Sequence, residues 1–238
     1  MPSTTIKELS GWDVDEKRQE LLSLFHAHLA HSSPWQPANG SKHVESKVVF
    51  GDGVPLLFAR TSVDCSAAKL FDYLVMSLSE TCSEWNDAMY HSSVLADDEA
   101  RKARVTTIIS DGSPVYDRED VFLQCFCELD RPAGAALCEL SSGIGMERVE
   151  LNVSGKAKRP RRLVRSDMPF AAKLIEPSID GASCTYTTVW QYDPKGWLSL
   201  LPSSMLANIL LKNLVHEHER LREIFSGGEK AKRWRLVG

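Results

Sequence analysis

The 238 residues contain no apolar run that could cross a bilayer, which takes roughly 18 residues with almost no charge. Leu198–Val215 comes nearest, and Pro202, Ser203, Ser204, Asn208, Lys212 and Asn213 break it. The first twenty residues carry Lys7, Glu8, Asp13, Asp15 and Glu16 without a long apolar stretch, so they do not read as a secretory signal. Neither sign of charge dominates: the net charge is -4, which argues against nucleic acid as the main partner. No C-x-x-C, H-E-x-x-H or G-x-S-x-G pattern and no phosphate loop occurs. His26, His28 and His31, like His216-Glu217-His218, have the wrong spacing for a metal site, so no metal, cofactor or catalytic residue is expected. The six cysteines (Cys65, Cys82, Cys125, Cys127, Cys138, Cys184) read as reduced, mostly buried thiols of a cytosolic protein.

What is present is globular: 43% of residues are hydrophobic and 25% charged. The length suits one domain spanning 1–238, with a core over about 13–225 and a basic tail over 226–238. A first helix capped by Asp13 or Asp15 runs to about His31, with Leu21, Leu22, Phe25, Ala27 and Leu29 as its apolar positions. Val44–Phe50 and Leu56–Val63 read as a hairpin around Asp52-Gly53, followed by a helix over Ser66–Leu78. Strands follow at Met89–Leu95, Arg104–Ile109, Val121–Leu129, Ala135–Leu140, Met146–Val153, Leu163–Val164, Ala171–Ile175 and Cys184–Tyr192. Short returns imply antiparallel pairing, and a helix from near Pro202 to Phe225 ends the order. This is an α+β layout, an antiparallel sheet with helices set to one side. The last helix is long enough to be both core and lid.

Four short words, in order, resemble the START domain, the steroidogenic-acute-regulatory-related lipid transfer family. They are Ser83-Glu84-Trp85-Asn86, then Ser113-Pro114-Val115-Tyr116-Asp117-Arg118-Glu119-Asp120-Val121-Phe122, then Leu174-Ile175-Glu176-Pro177 before Asp180-Gly181, and Tyr192-Asp193-Pro194-Lys195-Gly196-Trp197-Leu198. The resemblance covers most of the chain up to Phe225. It implies a helix-grip fold: a curved antiparallel sheet around the last helix, with a tunnel between them for one lipid, sterol or phospholipid. It also implies a monomer that touches membranes transiently. Two departures stand out. Pro202 comes later than the family's junction proline, and Phe122–Cys127 lacks the basic residue that steroid-binding members place in that strand.

Candidate lipid contacts follow. Leu206, Leu210, Leu214 and Leu221 share a face of the last helix with Met205 and Ile209 beside it, as tunnel roof or as plain core. Tyr186, Thr188, Trp190 and Tyr192 share one face of the last strand, as an aromatic lipid wall or as a core stripe. Arg60 suits a phosphate or a surface pair, and Cys125 is a small apolar contact in its strand. By the resemblance, Asp111, Gly112 and Pro114, with Gly196 and Trp197, belong to a gate; the bland reading of that loop is a passive connection. Lys156, Lys158, Arg159, Arg161 and Arg162, with Arg165 after them, suit an anionic membrane, a nuclear import signal or a solvated hairpin. The tail residues Lys230, Lys232, Arg233, Trp234 and Arg235 repeat that character. The expected function is lipid carriage by a peripheral cytoplasmic protein without bond chemistry. The alternatives are a lipid sensor or scaffold acting through a protein partner and, from the wider helix-grip group, an enzyme with a buried acid such as Glu128 or Glu139.

Overall fold

The computed structural model describes residues 5–227 apart from 52, 113–115, 144, 147–148 and 150–162. The chain order is α1 (Ile6–Ser10), α2 (Val14–Leu29), β1 (Gln36–Pro37), β2 (Glu45–Val49), β3 (Leu56–Val63), α3 (Ala67–Phe71), a π-helical turn (Asp72–Met76) and α4 (Leu78–Trp85). Then come β4 (Met89–Asp98), β5 (Ala103–Ser110), β6 (Asp117–Leu129), β7 (Ala136–Ser142), β8 (Leu163–Arg165), β9 (Asp167–Pro177) and β10 (Cys184–Asp193). A 3-10 turn (Gly196–Leu200) leads into α5 (Ser203–Phe225).

The strands form one sheet in the order β1-β2-β3-β10-β9-β7-β6-β5-β4, all antiparallel, with β8 pairing β6 in parallel. The last strand thus lies near the middle, between β3 and β9, so its alternating side chains face the interior of the fold. Leu57, Ala59 and Val63 of β3 meet Leu206, Leu210, Leu214 and Leu221 of α5 in the inner core, with Leu70, Leu74 and Leu78 closing it. The stripe on α5 falls at i, i+4, i+8 and i+15, as the leucine spacing predicts.

The helices do not all lie on one side. The Asp13 carboxylate accepts from the amides of Asp15 (3.0 Å) and Glu16 (3.1 Å) and starts α2. Its buried stripe of Val14, Leu21 and Phe25 is too apolar to face water, so α2 covers the outer face of the sheet over Phe58, Leu140, Phe170 and Val189. The strands are therefore apolar on both faces. Replacing Phe25, which is fully buried, with Ala should cost about 3–5 kcal/mol in a urea unfolding curve, because the sheet's outer core loses its central ring. A cost below about 1 kcal/mol would show that α2 is only loosely docked.

A further expectation needs correction. The helix over Ser66–Leu78 is broken by a π-helical turn, in which the Ser77 amide bonds to the Asp72 carbonyl five residues back (2.8 Å), and it resumes as far as Trp85. Of the strand expected over Met146–Val153, residues 147, 148 and 150–153 lie outside the described residues; Met146 and Val149 are buried with residues of α1 and α2, and the Val149 amide bonds the Met146 carbonyl (3.1 Å).

Candidate functional site

A cavity of about 90 Å³ lies between the inner face of the sheet and α5. Tyr186, Thr188, Trp190 and Tyr192 all line it, because alternation along β10 sends one residue in two inward. Trp190 and Tyr192 stack with ring centroids 4.7 Å apart. Leu78 and Trp85 of α4, Ile108, Phe122, Met168 and Ala171 supply the rest of the apolar wall. From α5, Leu214 and Glu217 reach the cavity, whereas Leu206 and Leu210 are buried in the core beside it.

Not every candidate lies there. Met205 and Ile209 are 53% and 39% exposed, one helical step off the buried stripe. Arg60 alternates with the inward Ala59 and Thr61, so it points to the outer face; it bonds the Glu45 carboxylate (2.6 Å) and lies 4.3 Å over the Trp35 ring. Cys125 also faces outward, packed with Ile6, Val14 and Leu123, where burial pushes its thiol up to about 11. Gly196 has a positive φ of 62°, and Trp197 beside it is 42% exposed. The Asp111 amide bonds the Ala88 carbonyl (2.7 Å) and Gly112 is half-buried. Pro114, Lys156, Lys158, Arg159, Arg161, Arg162 and the tail basic residues lie outside the described residues. Arg165 is structural: it bonds Glu119 (2.7 Å) and the carbonyls of Met146 and Val149 (both 3.1 Å).

The polar residues of the cavity went unpredicted, apart from Thr188, the tyrosines and Glu139. The Lys173 ammonium donates to Glu139 (2.6 Å), which also accepts from Gln124 (2.7 Å) and Ser141 (2.6 Å). Burial pushes the Glu139 carboxyl up, but Lys173 and these donors outweigh it and hold it below its usual range. Gln124 in turn accepts from Arg104 (2.7 Å) and Thr106 (2.6 Å), and Arg104 also donates to the Val75 carbonyl in the π-helical turn. Glu128, the other acid considered, is 58% exposed beside Lys102.

Two acids sit apart from that chain. Asp120 accepts from the Ser166 hydroxyl, and burial raises its carboxyl to about 6. Near it lies Arg118, 4% exposed, whose charge pulls Asp120 and Tyr192 down. One Arg118 nitrogen donates to the Tyr116 carbonyl (2.9 Å), while Nε and the other Nη have no hydrogen-bond partner. The buried indole N–H of Trp85 is likewise unpartnered. From α5, Glu217 accepts from Asn86, and burial raises its carboxyl to about 8. Its neighbour His218 is fully buried, stacked on Tyr186 (4.7 Å) and 3.4 Å from the Thr188 hydroxyl; burial lowers its imidazole to about 4.

These two shifts act oppositely on stability. Glu217 binds its proton more tightly in the folded chain, so stability is lost as pH rises from about 4.5 to about 8. His218 binds its proton less tightly, so stability is lost as pH falls from about 6.5 to about 4. Glu217→Gln should therefore gain on the order of 1–2 kcal/mol over the parent at pH 8 and little at pH 4.5, measured by urea unfolding at both values. An equal effect at both would mean that the carboxyl is charged throughout.

The sequence matches no family model and no curated protein. The architecture does have solved counterparts. Human StAR-related lipid transfer protein 5 superposes with a TM-score of 0.70 at 10% identity, over 90% of this chain and 96% of that one. The lipid transfer and protein localization domain of human StarD13 (DLC2) gives 0.64 at 16%, over 86% and 95%. Human STARD10 gives 0.64 at 19%, over 92% and 83%. At these identities the likeness concerns the fold: the chain is built on the START-domain helix-grip architecture.

Proposed function

We propose that this protein binds one phospholipid in the cavity beneath α5 and carries it between membranes. The reading rests on one observation: an apolar cavity, in the fold of solved lipid transfer proteins, has buried donors beside it that find no partner among the described residues. A buried guanidinium with two idle nitrogens, carrying three N–H groups, is costly unless an anion meets it, and Arg118 lies beside two cavity-lining residues, Asp120 and Tyr192. A phosphate oxygen would satisfy it, and the Trp85 indole N–H suits an ester carbonyl. Acyl chains gain roughly 0.8 kcal/mol per CH₂ on leaving water, which lets an apolar site compete with a bilayer.

The cavity is far smaller than the roughly 300–1,000 Å³ of ordinary ligand sites, so loading requires the lid to move. The anchoring of α5 is uneven. His218, Glu217 and Glu219 bond Thr188, Asn86 and Ser41, and Arg220 and Arg222 bond the carbonyls of Glu84 and Ser62. Among the described residues, no side-chain hydrogen bond ties Ser203–Asn213 to the rest of the fold, and Pro202 supplies no side-chain cap. The first half of α5 therefore lifts while the second stays. Trp197, Leu200 (84% exposed), Met205 and Ile209 border that half and give it an apolar edge for a membrane surface.

The test is transfer of labelled lipids from donor to acceptor vesicles by the purified protein. Phospholipid should move faster than sterol, and Arg118→Gln should abolish the preference. Movement of no lipid class would end the reading. A second reading has its own support: Asp120 and Glu217 both face the cavity with raised carboxyl values, as an acid–base enzyme requires. Chemically altered lipid recovered from the same assay would favour it.

A further inference from the structure

Outside the cavity, two strands set a pair of thiols side by side. Cys127 of β6 and Cys138 of β7 are direct partners in the antiparallel register. Such partners have Cα atoms about 4.5–5.5 Å apart, inside the range of roughly 4.4–6.8 Å that a disulfide spans. Both thiols are free, and the Cys138 Sγ lies 3.8 Å from its own strand neighbour's carbonyl, that of Glu139. Access is also provided. The ladder from β5 ends at Cys125, with one more bond from the Phe126 amide to the Lys102 carbonyl (2.8 Å), so the end of β6 beyond Phe126 is open on that side. A surface cleft of about 350 Å³ occupies the gap, bordered by Phe71, Met76, Lys102, Cys127 and Glu128. Cys127 is half-buried against the outer-face core, and Cys138 is fully buried beside it.

We propose that Cys127 and Cys138 are a peroxide-oxidised dithiol that closes to a disulfide within the sheet. Cys127 is the attacking sulfur. The neighbouring Cys138 thiol holds the Cys127 thiol below the ordinary value, and Arg18 and Lys102 act in the same direction against burial. The Cys127 thiolate attacks one oxygen of hydrogen peroxide, the O–O bond breaks, and hydroxide leaves and takes up a proton. The resulting sulfenic acid is then attacked by the Cys138 sulfur; the S–S bond forms, the S–O bond breaks, and water leaves with the Cys138 proton. Two thiols and one peroxide become one disulfide and two waters. Intracellular disulfides are mostly of this transient, redox-sensing kind. The same strand carries Glu139 into the cavity one position on, so the modified site adjoins the polar wall. The inference stands whether or not the cavity takes a lipid.

The test treats the full chain with a small excess of hydrogen peroxide and reads its intact mass, followed by non-reducing peptide mapping. The expected result is the loss of two hydrogen atoms, reversed by dithiothreitol, with Cys127 and Cys138 in one linked peptide pair. Cys127→Ser should abolish that loss and Cys65→Ser should leave it. The mapping of the unaltered chain decides the matter even if a variant folds poorly. Cys65 and Cys184, neighbouring thiols that are both buried, are the internal comparison. Their pairing first, conversion of Cys127 to sulfinic acid without a disulfide, or no oxidation would each overturn the proposal.

Discussion

Lys173→Met should destabilise the protein by about 3–5 kcal/mol, the largest effect expected of any single change in the cavity wall. The Lys173 ammonium is the only cation bonded to Glu139 among the described residues, and Glu139 is 2% exposed. Removing it leaves a carboxylate in an apolar enclosure with only Gln124 and Ser141 as donors. Burial would then dominate and drive the Glu139 carboxyl upward, so the variant's deficit should shrink at low pH, where the acid is protonated. Glu139→Gln placed on the Lys173→Met background should recover most of the loss, because a neutral amide needs no cation. Urea unfolding of the single and double variants at pH 7 and pH 5 checks both statements. A loss below about 1 kcal/mol for Lys173→Met would show that solvent already screens the pair.

Ala171→Phe should cut lipid transfer at least about tenfold while leaving the protein folded. Ala171 lies on the inner face of β9, in register with Trp190 on one side and Ser141 on the other, and lines the cavity. A phenyl ring there would occupy the space that a lipid must enter. Overpacking costs about 1–3 kcal/mol, small beside typical domain stability, so loss of folding does not explain the expected result. Vesicle transfer measured beside a thermal melt separates the two causes. Unchanged transfer by a folded Ala171→Phe protein would place the lipid elsewhere.

The architecture was legible because its signals are periodic. The alternation from Tyr186 to Tyr192 and the leucine spacing of α5 each follow from one geometric rule, and both place their residues as that rule requires. The outer helix layer was not legible, because apolar residues on both faces of β3 and β10 carry no alternation that says which element covers which face. Arg60 shows the cost of ignoring parity: Ala59 and Thr61 face inward, so the arginine between them cannot. The polar core escaped for a related reason. Lys173 within Ala171-Ala172-Lys173-Leu174-Ile175 reads as a surface lysine until β9 is set between β7 and β10, which puts it opposite Glu139 and Thr188. Gln124 is neutral and accepts from Arg104 on the neighbouring strand. Pairing of that kind is a property of register, which no local stretch of sequence contains. Asp120 and Glu217 owe their weakened acidity to burial that the whole fold creates.

Native mass spectrometry of the protein after incubation with vesicles of mixed phospholipid and sterol tests the central claim most directly. The account predicts a single added mass equal to one phospholipid per chain, absent from Ala171→Phe. A bare chain after every vesicle composition, or several loosely held lipids that Ala171→Phe retains, would contradict it.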